Sequence, residues 1–443
     1  MPTKSREDSL ETQKNSAGHE VSEADPTAKH RIESTLILDV DESAIPNGGF
    51  QAWIQVVGGF LFYFNSWGLV NTFGTFETYY IQIFPKTPSE IAWIGTTQGF
   101  LLVLVGVLTG SLHDKGYFRP LVLVGSFMIV FGLMMLSLMT KYWQAFLAQA
   151  ICIGLGSACV FLPSLSVVAT YFSTKRGYAI GVVVSGGQLG GVIYPIMFRQ
   201  LLPTLGFGWT TRVIGFMALG LLAISNAIMK PRVPPKSKGS LIDVAAFRDV
   251  RYSVFTLGLF FTFIGLYLPL YYTPTYGLIK LGMSLTEAFY LTAITNGASI
   301  AGAIVPSIIG DKLGPLNLMI PCSLITGILA FTWIGIHTIP GLQAFVAFYG
   351  FFTGCLITLP NPILISLSPS LQDVGSRVGM SYSIAAFGLL IGSPSGGALL
   401  DLEIGDFLKT QCFGGAFLFG GMSLFVLTRF LIHRQKKDRW ASY

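Results

Sequence analysis

Long apolar runs separated by short polar breaks fill the chain from Phe50 onward. A helix needs about 20 apolar residues to cross a bilayer, and most of these runs have no Asp, Glu, Lys or Arg in their interiors. Strands of a membrane barrel would be about ten residues long and would alternate in polarity, which these runs do not. The pattern predicts twelve transmembrane helices, over residues 50–72, 90–112, 119–140, 143–166, 178–200, 210–229, 253–275, 287–310, 316–337, 341–363, 377–400 and 411–432.

The composition agrees with an all-α membrane protein. Of the 443 residues, 52% are hydrophobic and 11% are charged. Because soluble proteins average about 25% charged residues, so few charges could not cover the surface of a soluble chain of this length. The five cysteines match no metal-ligand spacing. The sequence therefore predicts no metal centre.

Charge separates a polar tail from the membrane part. Residues 1–48 hold 10 of the 22 acidic residues and 5 of the 28 basic ones, with little apolar surface to bury. We predict that this segment is a disordered tail. Because cytoplasmic loops are enriched in Lys and Arg, both termini are predicted to be cytoplasmic: 21 basic residues lie on their side and 6 on the other. The bases are scattered among short loops, which argues against nucleic-acid binding.

The longest polar break after the tail covers residues 230–252 and separates six runs from six. We predict a six-helix bundle over 49–229, a cytoplasmic linker over 230–252, a second bundle over 253–432 and a cytoplasmic tail over 433–443. Two parallel six-helix repeats are typical of one class of secondary transporters. The expected architecture is therefore two pseudo-symmetric halves.

A short motif recurs at matching places in the two halves. Residues 110–119 read GSLHDKGYFR after the second run, and residues 310–314 read GDKLG after the eighth. The first copy resembles the loop signature of the major facilitator superfamily, and the resemblance implies two halves that rock about a central site. An aspartate at a helix end can accept hydrogen bonds from a neighbouring helix N-terminus or pair with a base. We predict a conformational latch that comprises Asp114, Lys115, Arg119, Asp311, Lys312, Lys175 and Arg176.

Two further stretches resemble the paired signatures of the monocarboxylate porter family within that superfamily. Residues 46–53 read PNGGFQAW and residues 171–181 read YFSTKRGYAIG, while residues 67–80 resemble the fungal branch. Asn47 and Gly177 stand where the family usually has Asp and Arg. The resemblance implies a carrier of small organic molecules. In the fungal branch these include exporters of secondary metabolites and importers of vitamins or acids.

The same resemblance argues against lactate-type transport. Family members that carry lactate or pyruvate with a proton place a Lys late in the first span, and an Asp and an Arg in the eighth. The matching positions here are Asn71, Ser299 and Ala303. A carboxylate in a low-dielectric cavity needs a cation or convergent donors. We therefore expect a neutral or weakly acidic, bulky substrate.

Amides and phenols inside the apolar runs are the candidate substrate contacts. Such groups among many phenylalanines suit a bulky, largely apolar ligand with a few hydrogen-bonding groups. The binding site of such carriers lies near the midplane between the halves. The alternative role is hydrogen bonding between helices, worth about 0.6 kcal/mol on average. We predict that the cavity is lined by Asn71, Tyr267, Tyr271, Asn296 and Asn361.

Glycines four residues apart in the fifth and eleventh runs predict close helix contacts, because small residues let helices approach. A dinucleotide site is not supported, since no strand precedes them. We expect these contacts to lie between the two halves. The helix-packing glycines are Gly186, Gly187, Gly190, Gly191, Gly388, Gly392 and Gly396.

These patterns predict a secondary active transporter that exports a bulky secondary metabolite across the cell membrane. The alternatives are proton-coupled uptake of a monocarboxylate or vitamin-like nutrient, and a non-transporting receptor. We expect a monomer in the lipid bilayer, a small-molecule substrate and no cofactor. Protons are the candidate coupling ion. Glu77 is the best-placed carboxylate, and its alternative role, which the sequence favours, is that of an interfacial charge at a helix end. No enzyme motif with a nucleophile or a metal site is present.

Overall fold

The computed structural model describes residues 47–232, 244–368, 374–400 and 406–441, and every long element in these ranges is a helix. Residues 1–46 of the predicted tail and 233–243 of the predicted linker lie outside the described residues.

Eight α-helices form the first half and follow its six predicted runs. Thr87 starts the third helix with a capping box that includes Glu90. A π-helical stretch, Phe146–Ile153, joins the sixth helix to the seventh. The eight helices are α1 (Phe50–Asn71), α2 (Phe73–Ile83), α3 (Pro88–Leu104), α4 (Gly106–Asp114), α5 (Phe118–Leu136), α6 (Tyr142–Ala145), α7 (Gly154–Ala169) and α8 (Arg176–Ile228).

Seven α-helices form the second half. Ser284 starts the second of them with a capping box that includes Glu287. Short 3₁₀ helices cover Val244–Arg248 and Trp333–Gly335. The seven helices are α9 (Val250–Leu281), α10 (Leu285–Leu313), α11 (Pro315–Thr332), α12 (Ile339–Thr358), α13 (Pro360–Ser366), α14 (Val374–Ala398) and α15 (Leu408–Ala441).

The described helices supply the twelve predicted crossings. Ten helical stretches are long and apolar enough to span a membrane. One of them, the 53-residue α8, is broken at Gly206, whose φ of 70° and ψ of 170° are not helical, so it accounts for the fifth and sixth runs. The remaining crossing is α1, which falls outside the ten because Gln, Asn and Trp side chains lower its hydropathy.

Three predicted boundaries shift. Asn47, assigned to the disordered tail, is hydrogen-bonded to the loop that precedes α8. The second bundle starts at Val250 rather than at residue 253, because Asp249 caps α9. The last helix continues to Ala441, through most of the predicted cytoplasmic tail.

Within each half, the packing pairs a first helix with a glycine-rich one: α1 packs on α8 and α9 packs on α14. Between the halves, α8 packs on α10, and α3 and α4 pack on α14. The two interfaces between the halves are thus related by the same pseudo-symmetry as the sequence motifs.

The predicted helix-packing glycines serve contacts inside a half, which corrects the expectation that they lie between halves. A Cβ at Gly187 would meet Trp67 of α1, and one at Gly396 would meet Leu268 of α9. Gly191 alone among them also touches the other half, through Asn296. Spacing indicates close approach but not which helix approaches. The same α1 and α9 contacts account for Gly186, Gly190, Gly388 and Gly392.

Other glycines bring the halves together. Gly181 of α8 faces Ala303 and Ser307 of α10, and Gly106 of α4 faces Gly379 of α14. Backbones approach closely at these points, because a Cβ on Gly181 or Gly379 would collide with the main chain of the opposite half.

Candidate functional site

Aromatic side chains from both halves meet at the centre of the molecule. Phe161 of α7 lies 5.9 Å, between ring centroids, from Tyr382 of α14. Tyr63 and Trp67 of α1 contact Phe161 at 5.3 and 5.9 Å. On the other side, Tyr382 contacts Phe263 of α9 at 6.2 Å. With Tyr267 and Asn361, described next, these buried residues form the central aromatic cluster: Tyr63, Trp67, Phe161, Phe263, Tyr267, Asn361 and Tyr382.

Helical spacing places these rings on common faces. Phe263 and Tyr267 lie one turn apart on α9, with ring centroids 5.8 Å apart. Tyr271 continues this stripe and stacks on Tyr267 at 6.0 Å. Residues four apart on a helix share a face, so Phe263, Tyr267 and Tyr271 lie in a row on one face of α9. Asn361 of α13 joins the cluster because its amide nitrogen and the Tyr382 hydroxyl both donate to the Ile357 carbonyl oxygen, at 3.4 and 3.5 Å.

Three buried polar atoms of the cluster have no hydrogen-bond partner in the described part of the chain. They are Tyr267 Oη, Asn361 Oδ1 and Trp67 Nε1. The Asn361 amide is oriented by its nitrogen, which donates to the carbonyl oxygens of Ile357 and Thr358 at 3.4 and 3.2 Å. A buried polar atom left unpaired costs about 1–3 kcal/mol. These atoms are therefore available to a ligand as one acceptor, one donor and one hydroxyl that does either.

One ring of the stripe on α9 is exposed beyond the cluster, farther along α9 from its N-terminus. Tyr271 is 39% exposed although it shares the inward face of α9 with buried Tyr267. Glu77 of α2 is half-buried and close enough to Tyr271 and Tyr272 to interact electrostatically across the two halves. We call this region, Glu77 with Tyr271 and Tyr272, the distal vestibule.

The predicted cavity residues divide into two groups. Tyr267, Tyr271 and Asn361 belong to the cluster and its vestibule. Asn71 and Asn296 instead meet at Gly191 of α8, where the Asn296 amide donates to the Gly191 carbonyl oxygen at 3.3 Å. Asn71 also donates to Gln188 of its own half, at 3.5 Å. These two amides thus serve helix contacts beside the site.

Sequence reasoning missed five members of the cluster. Tyr63 and Tyr382 are phenols inside apolar runs, but they were not among the predicted cavity residues. Helix faces that carry only aromatic rings were not considered as candidates. The signal that could have found them is the four-residue spacing of rings, from residue 63 to 67 and from 263 to 271. The missed members are Tyr63, Trp67, Phe161, Phe263 and Tyr382.

Two aspartates close one end of the interface between the halves. Asp311, near the end of α10, accepts hydrogen bonds from the backbone N–H groups of Gly177 and Tyr178 at 2.7 and 2.8 Å. Asp114, at the end of α4, accepts from the backbone N–H groups of Gly375 and Ser376 at 3.2 and 2.8 Å. Each carboxylate therefore caps the N-terminal turn of a helix in the opposite half, where the helix dipole favours negative charge.

Comparison with known proteins identifies the fold and family. Residues 56–320 match the family model of the Major Facilitator Superfamily. The chain belongs to the major facilitator superfamily. The fucose:proton symporter of E. coli has the same fold, with a TM-score of 0.64 and 14% sequence identity over 85% of this chain and 98% of that one.

Curated relatives in this superfamily are fungal transporters. The chain is 46% identical to the MFS-type transporter dbaD of Emericella nidulans, over 80% of each chain. It is 38% identical to the aspyridones efflux protein apdF of the same fungus, over 87% of this chain and 79% of that one. It is 35% identical to the MFS-type transporter pynF of Aspergillus niger, over 91% and 94%. The chain is thus a multi-pass membrane transporter.

The basic residues predicted for the latch of this major facilitator protein differ in what they contact. Arg119 donates to the Asn226 carbonyl oxygen, and Arg176 to those of Ala169 and Phe172, all within the first half. Arg176 is also close enough to Asp311 of the second half to interact with it electrostatically. The side chains of Lys115 and Lys312 make no hydrogen bond or ion pair within the described ranges, and the exposed Lys175 binds Asn47 through its backbone N–H. Backbone N–H groups at helix N-termini supply both aspartates with hydrogen-bond donors.

The two stretches that resemble monocarboxylate porter signatures contact each other. Asn47 Oδ1 accepts hydrogen bonds from the backbone N–H groups of Ser173, Thr174 and Lys175, at 3.1, 3.1 and 3.4 Å. Trp53 packs edge-on against Phe172, with centroids 5.3 Å apart. The start of α1 is thereby fixed to the loop that presents the first turn of α8 to Asp311.

Proposed function

We propose that this transporter exports a bulky, largely apolar and uncharged secondary metabolite by alternating access. The central aromatic cluster carries the proposal, because it spans both halves and every one of its members is uncharged at neutral pH. Burying a charged ligand among such residues would leave its charge unpaired, at a high cost in free energy. An apolar ligand with a few hydrogen-bonding groups is compatible with the cluster.

The direction of transport is inferred from relatives. The name of one relative identifies it as an efflux protein for aspyridones. We assign the chain to the monocarboxylate-porter-like fungal branch of the superfamily, on the paired stretches that Asn47 and Trp53 join. We further propose a monomer in the cell membrane with both termini in the cytoplasm.

Alternating access requires one end of the interface to open while the other closes. We propose that Asp114 and Asp311 act as the latch, releasing the N-termini of α14 and α8 when the cytoplasmic end opens. The cluster would then be reached from either side in turn. In the conformation described here this end is closed.

Uptake of a monocarboxylate is less well supported by the site. Asn71 pairs with Gln188, the Ser299 hydroxyl donates to the Gly350 carbonyl oxygen at 2.6 Å, and Ala303 packs on Gly181. None of the three supplies the cation that a carboxylate substrate needs.

We also propose that export is driven by proton exchange and that Glu77 takes part. Among the carboxylates whose side chains the structure describes, Glu77 alone makes no hydrogen bond or ion pair. Glu90 and Glu287 are held in capping boxes. Glu77 belongs to the distal vestibule, within electrostatic range of Tyr271 and Tyr272 of the opposite half.

Metabolite profiling of the organism that encodes the protein tests the export proposal. Deletion of the gene should raise the ratio of intracellular to secreted amount for an uncharged metabolite, and complementation should restore it. Uptake of labelled lactate into proteoliposomes under an imposed pH gradient would instead support the nutrient alternative. Ligand binding without flux in the same vesicles would support a receptor.

A further inference from the structure

Unpaired buried polar atoms occur both inside and outside the central aromatic cluster. Trp333 Nε1 and Ser323 Oγ also lack partners, but both lie inside the second half, away from the cluster. A single unpaired atom is therefore no evidence of a binding site. The atoms of Trp67, Tyr267 and Asn361 differ because the residues that carry them are linked by ring contacts and a shared hydrogen-bond acceptor across the interface between the halves.

Contacts through three rings connect the three side chains. Trp67 packs on Phe161, Phe161 packs on Tyr382, and Tyr382 shares the Ile357 carbonyl oxygen with Asn361 as a hydrogen-bond acceptor. Phe263 contacts both Tyr382 and Tyr267, at 6.2 and 5.8 Å between ring centroids. When the halves separate at Phe161 and Tyr382, the indole N–H is on one wall, and the phenol and the amide oxygen are on the other.

The types of these atoms define the complementary ligand. The Trp67 indole only donates, the Asn361 oxygen only accepts, and the Tyr267 hydroxyl does both. The surrounding faces are aromatic, and stacking favours a flat ring system. The absence of charge in the cluster disfavours an ion.

We propose that the cluster binds an uncharged, flat aromatic molecule that carries both a hydrogen-bond donor, for Asn361 Oδ1, and a carbonyl-type acceptor, for Trp67 Nε1 and the Tyr267 hydroxyl. This inference rests on the proposed export function and names its substrate class: aromatic compounds with both a hydroxyl and a ketone or similar group.

The ligand enters only when the cluster opens. All three polar atoms are sealed from solvent in this structure, whereas Tyr271, one turn along α9 from Tyr267, is partly exposed. The stacked pair therefore marks the boundary between the distal vestibule and the closed cluster. Parting of the rings at Phe161 and Tyr382 exposes all three atoms together.

A set of three related probes tests the assignment on the purified full-length protein. They are 6-acetyl-2-naphthol, with both groups; its methyl ether, which has no donor; and 2-naphthol, which has no ketone. Calorimetric titration should show that the wild type binds the first probe at least about tenfold more tightly than either of the others, because the methyl ether loses the hydrogen bond to Asn361 and 2-naphthol loses those to Trp67 and Tyr267.

Substitutions then assign each group to its partner. Asn361→Ala should weaken binding of 6-acetyl-2-naphthol about tenfold and leave binding of the methyl ether unchanged. Trp67→Phe should weaken both ketone probes and leave 2-naphthol unchanged. Trp333→Phe and Ser323→Ala, which remove unpaired atoms of the same kind outside the cluster, should change none of the three affinities.

Several results would overturn the assignment. They are equal affinity of the wild type for all three probes, no binding of any of them, or a loss of affinity in Asn361→Ala that is the same for 6-acetyl-2-naphthol and its methyl ether.

Failure of the export proposal is a separate outcome. Probe binding with the expected pattern but no change in metabolite secretion on gene deletion would reject export and retain the recognition site. Unchanged export in Trp67→Phe and Asn361→Ala cells would reject the recognition site alone.

Discussion

The Asp114 carboxylate accepts two hydrogen bonds from Ser376, one from the backbone N–H at 2.8 Å and one from the hydroxyl at 2.7 Å. The two residues are 262 positions apart and belong to different halves. Asp311 makes the pseudo-symmetric contact with the first turn of α8. The same end of the interface is therefore held twice, by a carboxylate on a helix N-terminus each time.

Removing one of these charges should loosen the closed end. In Asp114→Asn the helix N-terminus loses a charge-assisted acceptor worth about 1.5–3 kcal/mol, so the closed population should fall more than tenfold relative to the open one. Distances between spin labels on the ends of α4 and α14 measure this shift. Asp249→Asn is the matched control, because Asp249 caps its own helix and pairs with Arg251 without contacting the other half. An unchanged distance distribution in Asp114→Asn would contradict the latch.

Alanine substitutions at two glycines should distinguish contacts that close the interface between the halves from contacts that stabilise the fold of one half. A Cβ at Gly181 would lie 2.5 Å from the Ala303 carbonyl oxygen of the opposite half, so Gly181→Ala should keep the halves apart while each half stays folded. Gly392→Ala would collide with the Ile264 backbone inside the second half, so it should lower the melting temperature instead. Thermal unfolding and cysteine accessibility at the latch end, measured on both variants, should show opposite patterns. Equal loss of stability in both would show that Gly181 is only a packing residue.

Asn47 should stabilise the loop before α8. Asn47→Ala leaves three backbone N–H groups without their acceptor, which by analogy with a helix cap costs about 0.5–2 kcal/mol. Asn47→Asp keeps an acceptor and should lower the melting temperature less. Thr174→Ala, which removes only the hydroxyl that the Asn47 amide contacts at 2.6 Å, provides the control. A melting temperature that is the same in Asn47→Ala and wild type would mean that these hydrogen bonds contribute nothing.

Glu77 should be needed for coupling but not for substrate recognition. Glu77→Gln keeps the shape of the side chain and removes its charge, so uphill transport driven by a pH gradient should be lost while substrate exchange at equal pH continues. Reconstituted vesicles allow both measurements on one preparation. Glu287→Gln is the control, since glutamine also completes a capping box. Retention of gradient-driven accumulation in Glu77→Gln would exclude this carboxylate as the coupling group.

The membrane topology was readable from the sequence because crossing a bilayer requires long apolar helices whatever their neighbours are. The positions of Asp114 and Asp311 at helix ends were likewise predictable from the repeated motif. Their acceptance of helix N-terminal N–H groups, rather than pairing with Lys115 or Lys312, depends on which helices meet. That information is in the packing and not in the local sequence.

The candidate site was only partly predictable for the same reason. Tyr267 and Asn361 stood out as polar groups in apolar runs, whereas Trp67 and Phe161 look like ordinary core residues until the halves are brought together. Gly187 and Gly392 show the converse case. Their spacing predicted a close helix contact, but each glycine contacts a residue of its own half: Gly187 contacts Trp67, and Gly392 contacts Ile264.

The single break at Gly206 has a mechanical consequence. Only one non-helical residue separates the fifth crossing from the sixth, so the two helices meet at a short elbow; Gly314 makes a similar one-residue break between the eighth and ninth crossings. When Asp311 displaces the first turn of α8, we therefore expect the displacement to be transmitted along the fifth crossing to Gly206 and on to the sixth. The elbow thus couples movement at one membrane face to movement of a further helix.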